Sequence, residues 1–286
     1  MKRPLIAISL SFLLLTACKA SVPADSATES HAPAEPTKSA PATPVAQPVA
    51  SAVAIDAGFA KGMAYADLRK RVLAAGWLPV VDPACRENIG GEATICFDVP
   101  ELEACSGDGH CNMHFADAAS GREVAVHTYG PIERWNAPVD DKSLAVTGWE
   151  VSNVSAEKNA VACPSQDFDT FLKAFASDDK VRRAFTAPLV KVAELGGGET
   201  GDDTVMVYET AGAYGEFNVR YAGGKYHYVD SEGNVDADDL AVKSEPKGNG
   251  LMAVRYDYGM SEGNSYTFRL QDGCWWLSED PEPPSP

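Results

Sequence analysis

Six cysteines between positions 85 and 274 limit the ways in which this 286-residue chain can fold. They are Cys85, Cys96, Cys105, Cys111, Cys163 and Cys274. The chain starts with Lys2 and Arg3, continues with an apolar run from Leu5 to Leu15, and reaches small residues before a seventh cysteine, Cys18. This order is typical of a signal peptide, and the apolar run is too short to span a bilayer. Because export leads to an oxidising compartment, the even set of six favours disulfides.

Six cysteines allow many pairings, of which we favour Cys85–Cys96, Cys105–Cys111 and Cys163–Cys274. The first two pairs would close short loops. The third would close a loop of roughly 110 residues and would constrain the unfolded chain most. Gly107 and Gly109 allow the tight turn that the shortest loop requires.

The stretch Leu15-Thr16-Ala17-Cys18 resembles the lipobox of bacterial lipoproteins. The resemblance implies that residues 1–17 are cut off as a lipoprotein signal peptide and that Cys18 carries the lipid, detectable as palmitate. Family behaviour reserves Asp at the next position for inner-membrane retention. Since Lys19 stands there, the resemblance implies an outer-membrane protein that faces the periplasm. The alternative is an ordinary secretory signal with a cysteine at this position by chance.

Residues 18–52 have the composition of a lipidated tether. Residues 19–52 are rich in Ala, Pro, Ser and Thr and contain no aromatic side chain. Such a segment cannot bury enough apolar surface to offset its chain entropy, so we expect disorder. Its reach, from ~35 Å as a coil to ~100 Å as a polyproline helix, would hold the folded part away from the membrane.

The net charge of −17 at pH 7 restricts the partners that this chain can bind. So acidic a surface repels phosphate backbones and anionic lipid headgroups, which argues against nucleic acid as a partner. Beyond residue 17 no apolar run reaches spanning length. We therefore expect membrane contact only through the lipid on Cys18, and another envelope protein as the partner.

Two short motifs match enzyme signatures by letters alone. Gly259–Gly263 matches the G-x-S-x-G nucleophile elbow, but a strand-like segment follows it and no histidine does. Gly196–Gly201 matches a dinucleotide fingerprint, yet Asp202, Asp203 and a strand-like run follow where a helix is needed. We therefore predict no catalytic residue and no cofactor.

Three histidines provide the strongest candidate metal ligands. His110, His114 and His127 lie near Cys111 and Met113, and imidazole with sulfur suits copper or zinc. However, Cys111 is expected in a disulfide, and strand alternation places Met113 on the face opposite His114. We therefore do not predict a metal site.

The fold class predicted for the rest is α+β, with two small domains after the tether, each with helices packed on an antiparallel sheet. The first spans residues 53–136. Its helix follows from Tyr65, Leu68, Val72 and Ala75 at helical spacing, with Gly76 as the C-terminal stop. Strand-like runs follow at 93–99, 112–116 and 123–128.

Residues 137–162, with Trp149, are a connecting segment that either links the domains or pairs with one of the sheets.

Lys61–Arg69, followed by Gly76-Trp77, resembles the opening helix of small periplasmic modules. These modules are similar to the β-lactamase-inhibitor-protein and outer-membrane-assembly-lipoprotein folds. The resemblance implies a helix against an antiparallel sheet, and a face that inhibits or scaffolds another envelope protein.

The second domain is predicted to span residues 163–286. Phe168, Phe171, Leu172 and Phe175 form an apolar stripe on a helix that Ser165 can cap, and Asp178 can cap a second short helix. Alternating runs then occupy 189–193, 204–210, 214–221, 225–230, 251–258, 265–270 and 274–277. Helices followed by a strand meander resemble the nuclear-transport-factor-2-like, cystatin-like architecture.

That architecture implies a space between helix and curved sheet, for which the sequence offers aromatic wall residues. The candidates are Tyr226, His227, Tyr228, Trp275 and Trp276. Because strand neighbours alternate, one tryptophan should face the interior and the other the outside. Our leading interpretation is a non-catalytic interaction module, since simple core packing also explains these aromatic residues. The alternative is a small-ligand site or an acid–base enzyme that uses this pocket.

Overall fold

The computed structural model describes residues 54–90, 94–138, 140, 142–155, 160–195, 204–259 and 262–281. The predicted signal peptide, Cys18 and the predicted tether lie outside the described residues, as do residues 196–203, which include the glycine-rich motif. Residues 52–286 belong to one compact unit with a mixed α+β fold, which confirms the predicted class. No helix among the described residues is long and apolar enough to cross a membrane.

The first half of this unit is a sheet covered by one long and two short helices. Its elements are α1 (Tyr65–Ala74), β1 (Leu78–Pro79), α2 (Cys85–Asn88), α3 (Ile95–Asp98), β2 (Leu102–Cys105), β3 (His110–Asp117), β4 (Arg122–Tyr129) and β5 (Ala145–Asn153). The strand order is β1-β3-β4-β5, and β2 also pairs with β3. Helix α1 buries Tyr65, Leu68 and Val72 against this sheet, and Gly76 ends the helix at a φ of 85°.

The second half places two helices on a larger sheet. Its elements are α4 (Phe168–Ser177), α5 (Asp179–Ala184), β6 (Thr186–Leu195), β7 (Thr204–Thr210), β8 (Val219–Ala222), β9 (Lys225–Tyr228), β10 (Val242–Gly248), β11 (Leu251–Tyr258), β12 (Glu262–Gln271) and β13 (Cys274–Asp280). The six-stranded order is β10-β11-β12-β13-β6-β7, in which β13 and β6 are parallel, while β8 and β9 form a separate hairpin. The predicted stripe on α4 is buried against Phe268 and neighbouring aromatic rings.

The two halves are in direct contact through β1 and β7. Val80 forms a parallel bridge with Tyr208, and the Val81 N–H donates to the Tyr208 carbonyl oxygen at 2.9 Å. Ala116 of β3 packs with Leu189 and Tyr208 in a small core between the halves. In the segment 137–162, β5 pairs with β4 and so extends the first sheet.

The three disulfides are Cys85–Cys96, Cys105–Cys111 and Cys163–Cys274, which are the pairs favoured from the sequence. The first joins α2 to α3, the second brackets the turn between β2 and β3, and the third fastens the chain before α4 to the start of β13. The long loop of the third disulfide encloses most of the second half.

Several local predictions were wrong. The run at 93–99 contains one helical turn, α3, because Ile95 points into the core while Cys96 is held to α2 by the disulfide. In the run at 214–221 only Val219 onward is strand, since the Tyr214 N–H donates to the Thr210 carbonyl in a turn. The cap of α4 is Asp167, whose side chain accepts the Thr170 N–H at 3.0 Å, rather than Ser165.

Candidate functional site

The tyrosines of the predicted pocket pack against other rings. Tyr226 meets Tyr221 at a centroid distance of 4.9 Å, and Tyr228 stacks on Tyr258 at 3.9 Å. Both belong to the border of the core beneath α4. His227 lies opposite Arg220 in the β8–β9 hairpin, on the other face, and its Nδ1 is 3.1 Å from the Asp238 carbonyl oxygen. The structure therefore separates His227 from the two tyrosines.

Both tryptophans of β13 pack against the aromatic core of the second half, Trp275 inside it and Trp276 at its border. Trp275 is buried against Phe168, with ring centroids 5.0 Å apart, and its indole N–H donates to the Gln166 carbonyl oxygen at 2.9 Å. Trp276 is half-buried and packs edge-on against Phe185 at 5.4 Å. Core packing accounts for these contacts.

The three histidines share the outer face of the β3–β4 ribbon. His114 lies 2.9 Å from a Glu103 carboxylate oxygen, and the exposed His127 lies 2.9 Å from the Asn112 side-chain oxygen. His110 stacks at a tilt on Tyr129. Across the described ranges, no group of three His, Cys, Asp or Glu side chains is placed to hold a metal ion.

A cavity of about 300 Å³ lies beside helix α1, at a place that sequence reasoning did not indicate. We call it the α1 cavity. Its wall consists of Ala66, Arg69, Lys70, Leu73, Trp135 and Asn136. Two of these six residues are cationic and none is a carboxylate. Helix α1 supplies four of them from successive turns, and the other two follow the short 3₁₀ helix Ile132–Arg134.

The back of the α1 cavity is held by a buried network. Glu101 is completely buried, and its Oε1 accepts hydrogen bonds from the Tyr65 hydroxyl at 2.5 Å and from the Arg69 Nε. The Arg69 Nη2 donates to the other carboxylate oxygen at 3.3 Å. On its far side the guanidinium lies over the Trp135 ring, with Cζ 5.0 Å from the centroid. Arg69 is thus fixed between a carboxylate and an indole.

The charges in this network shift the pKa values of its members. Burial, followed by the negative charge of Glu101, raises the pKa of Tyr65 well above its usual value, so the hydroxyl stays a donor. Burial lowers the pKa of Arg69, but the Glu101 charge and hydrogen bond more than offset this and leave it raised. The arrangement is a positively charged donor group held rigidly beside an apolar wall.

A second cavity, of about 160 Å³, lies between the Cys85–Cys96 disulfide and the β6–β7 pair. Its lining residues are Val81, Asp82, Pro83, Cys85, Arg86, Cys96, Phe97, Pro100, Glu194 and Val205. The Arg86 guanidinium lies 4.5 Å from the Phe97 ring centroid. Glu194 connects this cavity to further carboxylates on the same side of the second sheet.

Glu209 is the most strongly perturbed of these carboxyl groups. Its burial, followed by the charges of Glu216, Glu194 and Asp280, raises its pKa to about 7. Burial and then Glu216 also raise the pKa of Glu194, which shares a hydrogen bond with Glu209. Nearby, the Tyr214 hydroxyl donates to Asp280 at 2.9 Å. A carboxyl group with this pKa exchanges a proton near neutral pH.

Sequence reasoning missed Arg69, Glu101, Trp135 and Glu209. For the first of these a signal existed, because Arg69-Lys70-Arg71 is a run of three cations in a strongly acidic chain. Helical spacing alone predicts that most of this run lies off the apolar face of α1. For Glu101 and Glu209 the sequence offers no pattern, because their partners come from other elements.

The comparisons with known proteins leave the family open. No protein-family model matches the chain, and no curated protein matches it. Among solved structures it is similar to an NTF2-like protein from Bacteroides fragilis, with a TM-score of 0.29 and 10% sequence identity over 57% of this chain. The chain spans 60% of that structure's length.

Proposed function

We propose that this chain is an exported lipoprotein whose folded part is a non-catalytic interaction module. The lipid on Cys18 attaches it to the outer membrane, and the segment up to residue 52 presents the folded unit to the periplasm. The observation that carries the proposal is the set of three disulfides, which brings together all six cysteines beyond Cys18. Disulfides form and persist in exported proteins, and the export signal at the N-terminus agrees with them.

The construction of the α1 cavity favours binding over catalysis. At the α1 cavity, Tyr65 and Glu101 fix Arg69 from behind, and Trp135 supplies an apolar wall. A fixed guanidinium, whose charge Glu101 balances from the buried side, beside an apolar wall is suited to recognition of another molecule. The partner in this proposal is another envelope component.

Lipid attachment is tested by labelling cells with an alkyne analogue of palmitate and isolating the protein. The wild-type chain should be labelled and the Cys18→Ala chain should not. Lys19→Asp is the matched control, because it should keep the label while moving the protein to the inner-membrane fraction. A labelled Cys18→Ala chain, or a wild-type chain released freely from the envelope, would contradict the proposal.

A second candidate function, acid–base catalysis in the second half, is favoured by Glu209 alone. Its pKa of about 7 lies where a general acid or base works best. The test is a carbon-13 NMR titration of the Glu209 carboxyl group in the wild-type and Glu194→Gln chains. A carboxyl that titrates at the usual value near 4.5 in the wild type removes this candidate.

A further inference from the structure

We propose that the α1 cavity binds a carboxylate that carries an apolar group, such as the C-terminus of a peptide or a small organic acid. This inference rests on the proposed function, because it names the chemistry that the interaction module recognises. In the complex, the carboxylate accepts hydrogen bonds from Lys70 and from Nη1 of Arg69, and the apolar group packs on Trp135.

The first support is the state of Arg69. Its Nε and Nη2 both donate to the carboxylate of the buried Glu101 on one edge of the guanidinium. The Arg69 side chain keeps 20% of its surface exposed, whereas Glu101 has none. Since the guanidinium is already held on one edge by Glu101 and on one face by Trp135, binding costs little further ordering of this side chain. The guanidinium is therefore preorganised.

The second support is the charge at the cavity mouth. Lys70 is exposed, it follows Arg69 in the sequence, and both residues line the cavity. Glu101 neutralises Arg69 from the buried side, so Lys70 supplies the excess positive charge. In a chain of net charge −17, this cation at a concave site attracts an anion that most of the surface repels. Asn136 adds an amide at the same mouth.

The third support is the apolar part of the wall. Ala66, Leu73 and Trp135 are half-buried and line the same cavity. The volume of about 300 Å³ lies at the lower end of the range for small-molecule sites. A bare inorganic anion would leave this apolar surface uncovered. The wall therefore selects an anion that carries an apolar group.

The test is an NMR titration of the full exported chain, labelled with nitrogen-15, in which the Trp135 indole signal is assigned with a Trp135→Phe chain. The first probe is 3-phenylpropionate, and its amide serves as the uncharged control. We expect saturable shifts at Trp135, an affinity lower by about tenfold for the amide, and a similar loss for Lys70→Gln. Lys70→Arg should restore binding. Lys247→Gln, an exposed lysine of β10, is the matched control and should bind normally.

A second arm distinguishes the two sources of the carboxylate. An N-acetylated pentapeptide that ends in Glu-Phe is titrated beside 3-phenylpropionate. Tighter peptide binding assigns the site to a protein partner, and tighter binding of the small acid assigns it to a metabolite; both support a carboxylate site. Equal affinity for acid and amide overturns it, as does unchanged binding by Lys70→Gln or no saturation with either probe. A chain that is lipidated normally but does not bind the carboxylate probes would contradict this inference alone. A chain that binds the probes but is not labelled with the palmitate analogue would contradict the lipoprotein proposal alone.

Discussion

The backbone N–H of Val81 donates to the carbonyl oxygen of Tyr208 at 2.9 Å, and this bond joins the sheets of the two halves. The neighbouring Val80 forms the parallel bridge with Tyr208. Below it, the Tyr208 side chain is buried beside Ala116 of the first sheet and Leu189 of the second. A single tyrosine therefore contributes both main-chain and side-chain contacts to the junction.

Truncation of this side chain should weaken both halves together. Tyr208→Ala removes a ring that is only 8% exposed, and we expect the free energy of unfolding to fall by about 3 kcal/mol. Urea unfolding, followed by tryptophan fluorescence and by far-ultraviolet circular dichroism, measures the change. The matched control is Tyr129→Ala, whose ring is 52% exposed and whose loss should cost less than about 1 kcal/mol. Equal losses for the two variants would contradict the structural role assigned to Tyr208.

The buried carboxylate behind the α1 cavity gives a second prediction. Glu101→Gln removes the charge that faces Arg69, so a partly buried guanidinium is left without its counterion. Such a change costs about 3 kcal/mol. Thermal unfolding and urea midpoints measure it. Glu103→Gln is the control two residues away: this half-exposed carboxylate pairs with His114 at the surface, and we expect less than about 1 kcal/mol. A larger loss of stability for Glu103→Gln than for Glu101→Gln would contradict the structural role assigned to Glu101.

The buried faces of single helices and strands could be predicted, because they depend on the spacing of apolar residues within one segment. The apolar spacing of Phe168, Phe171 and Phe175 predicts the buried face of α4 because a helix brings residues three and four apart to one side. Alternation in the same way predicts the two faces of β4. By contrast, β10 was missed, because this edge strand is mostly exposed and contains Pro246, and so it lacks the apolar alternation of an inner strand.

The candidate site could not be predicted in the same way. Arg69 and Glu101 are 32 positions apart, and only the packing of α1 on the first sheet brings them together. Likewise, the raised pKa of Glu209 depends on burial and on Glu194 and Glu216, which belong to other segments. The spacing of residues in the sequence predicts the faces of one helix or strand at a time. It does not predict which charged side chains of different elements come into contact.

The long disulfide should contribute more stability than the short one. Cys163–Cys274 closes 111 positions, so its removal by Cys163→Ser with Cys274→Ser should cost about 5 kcal/mol through the greater freedom of the unfolded chain. Cys105–Cys111 closes only 6 positions, and its double serine variant should cost about 2 kcal/mol. Calorimetry of the three oxidised chains compares their unfolding. If the short-loop variant were the less stable one, strain or packing rather than loop closure would dominate.

Glu209 should make stability depend on pH near neutrality. Its carboxyl titrates near 4.5 in the unfolded chain and near 7 in the folded one, so between these values the folded state holds a proton that the unfolded state has released. The resulting stabilisation is fully present below about pH 4.5 and is lost as the pH rises through 7. Allowing for the partial exposure of Glu209 to solvent, we expect this stabilisation to be about 1 kcal/mol.

Glu209→Gln, which stays neutral, should be more stable than wild type at pH 8 and should flatten the decline in urea midpoints between pH 5 and 8. Glu245→Gln, on the exposed strand β10, is the control and should keep the wild-type slope. A Glu209→Gln chain with an unchanged slope would show that this carboxyl does not titrate near 7.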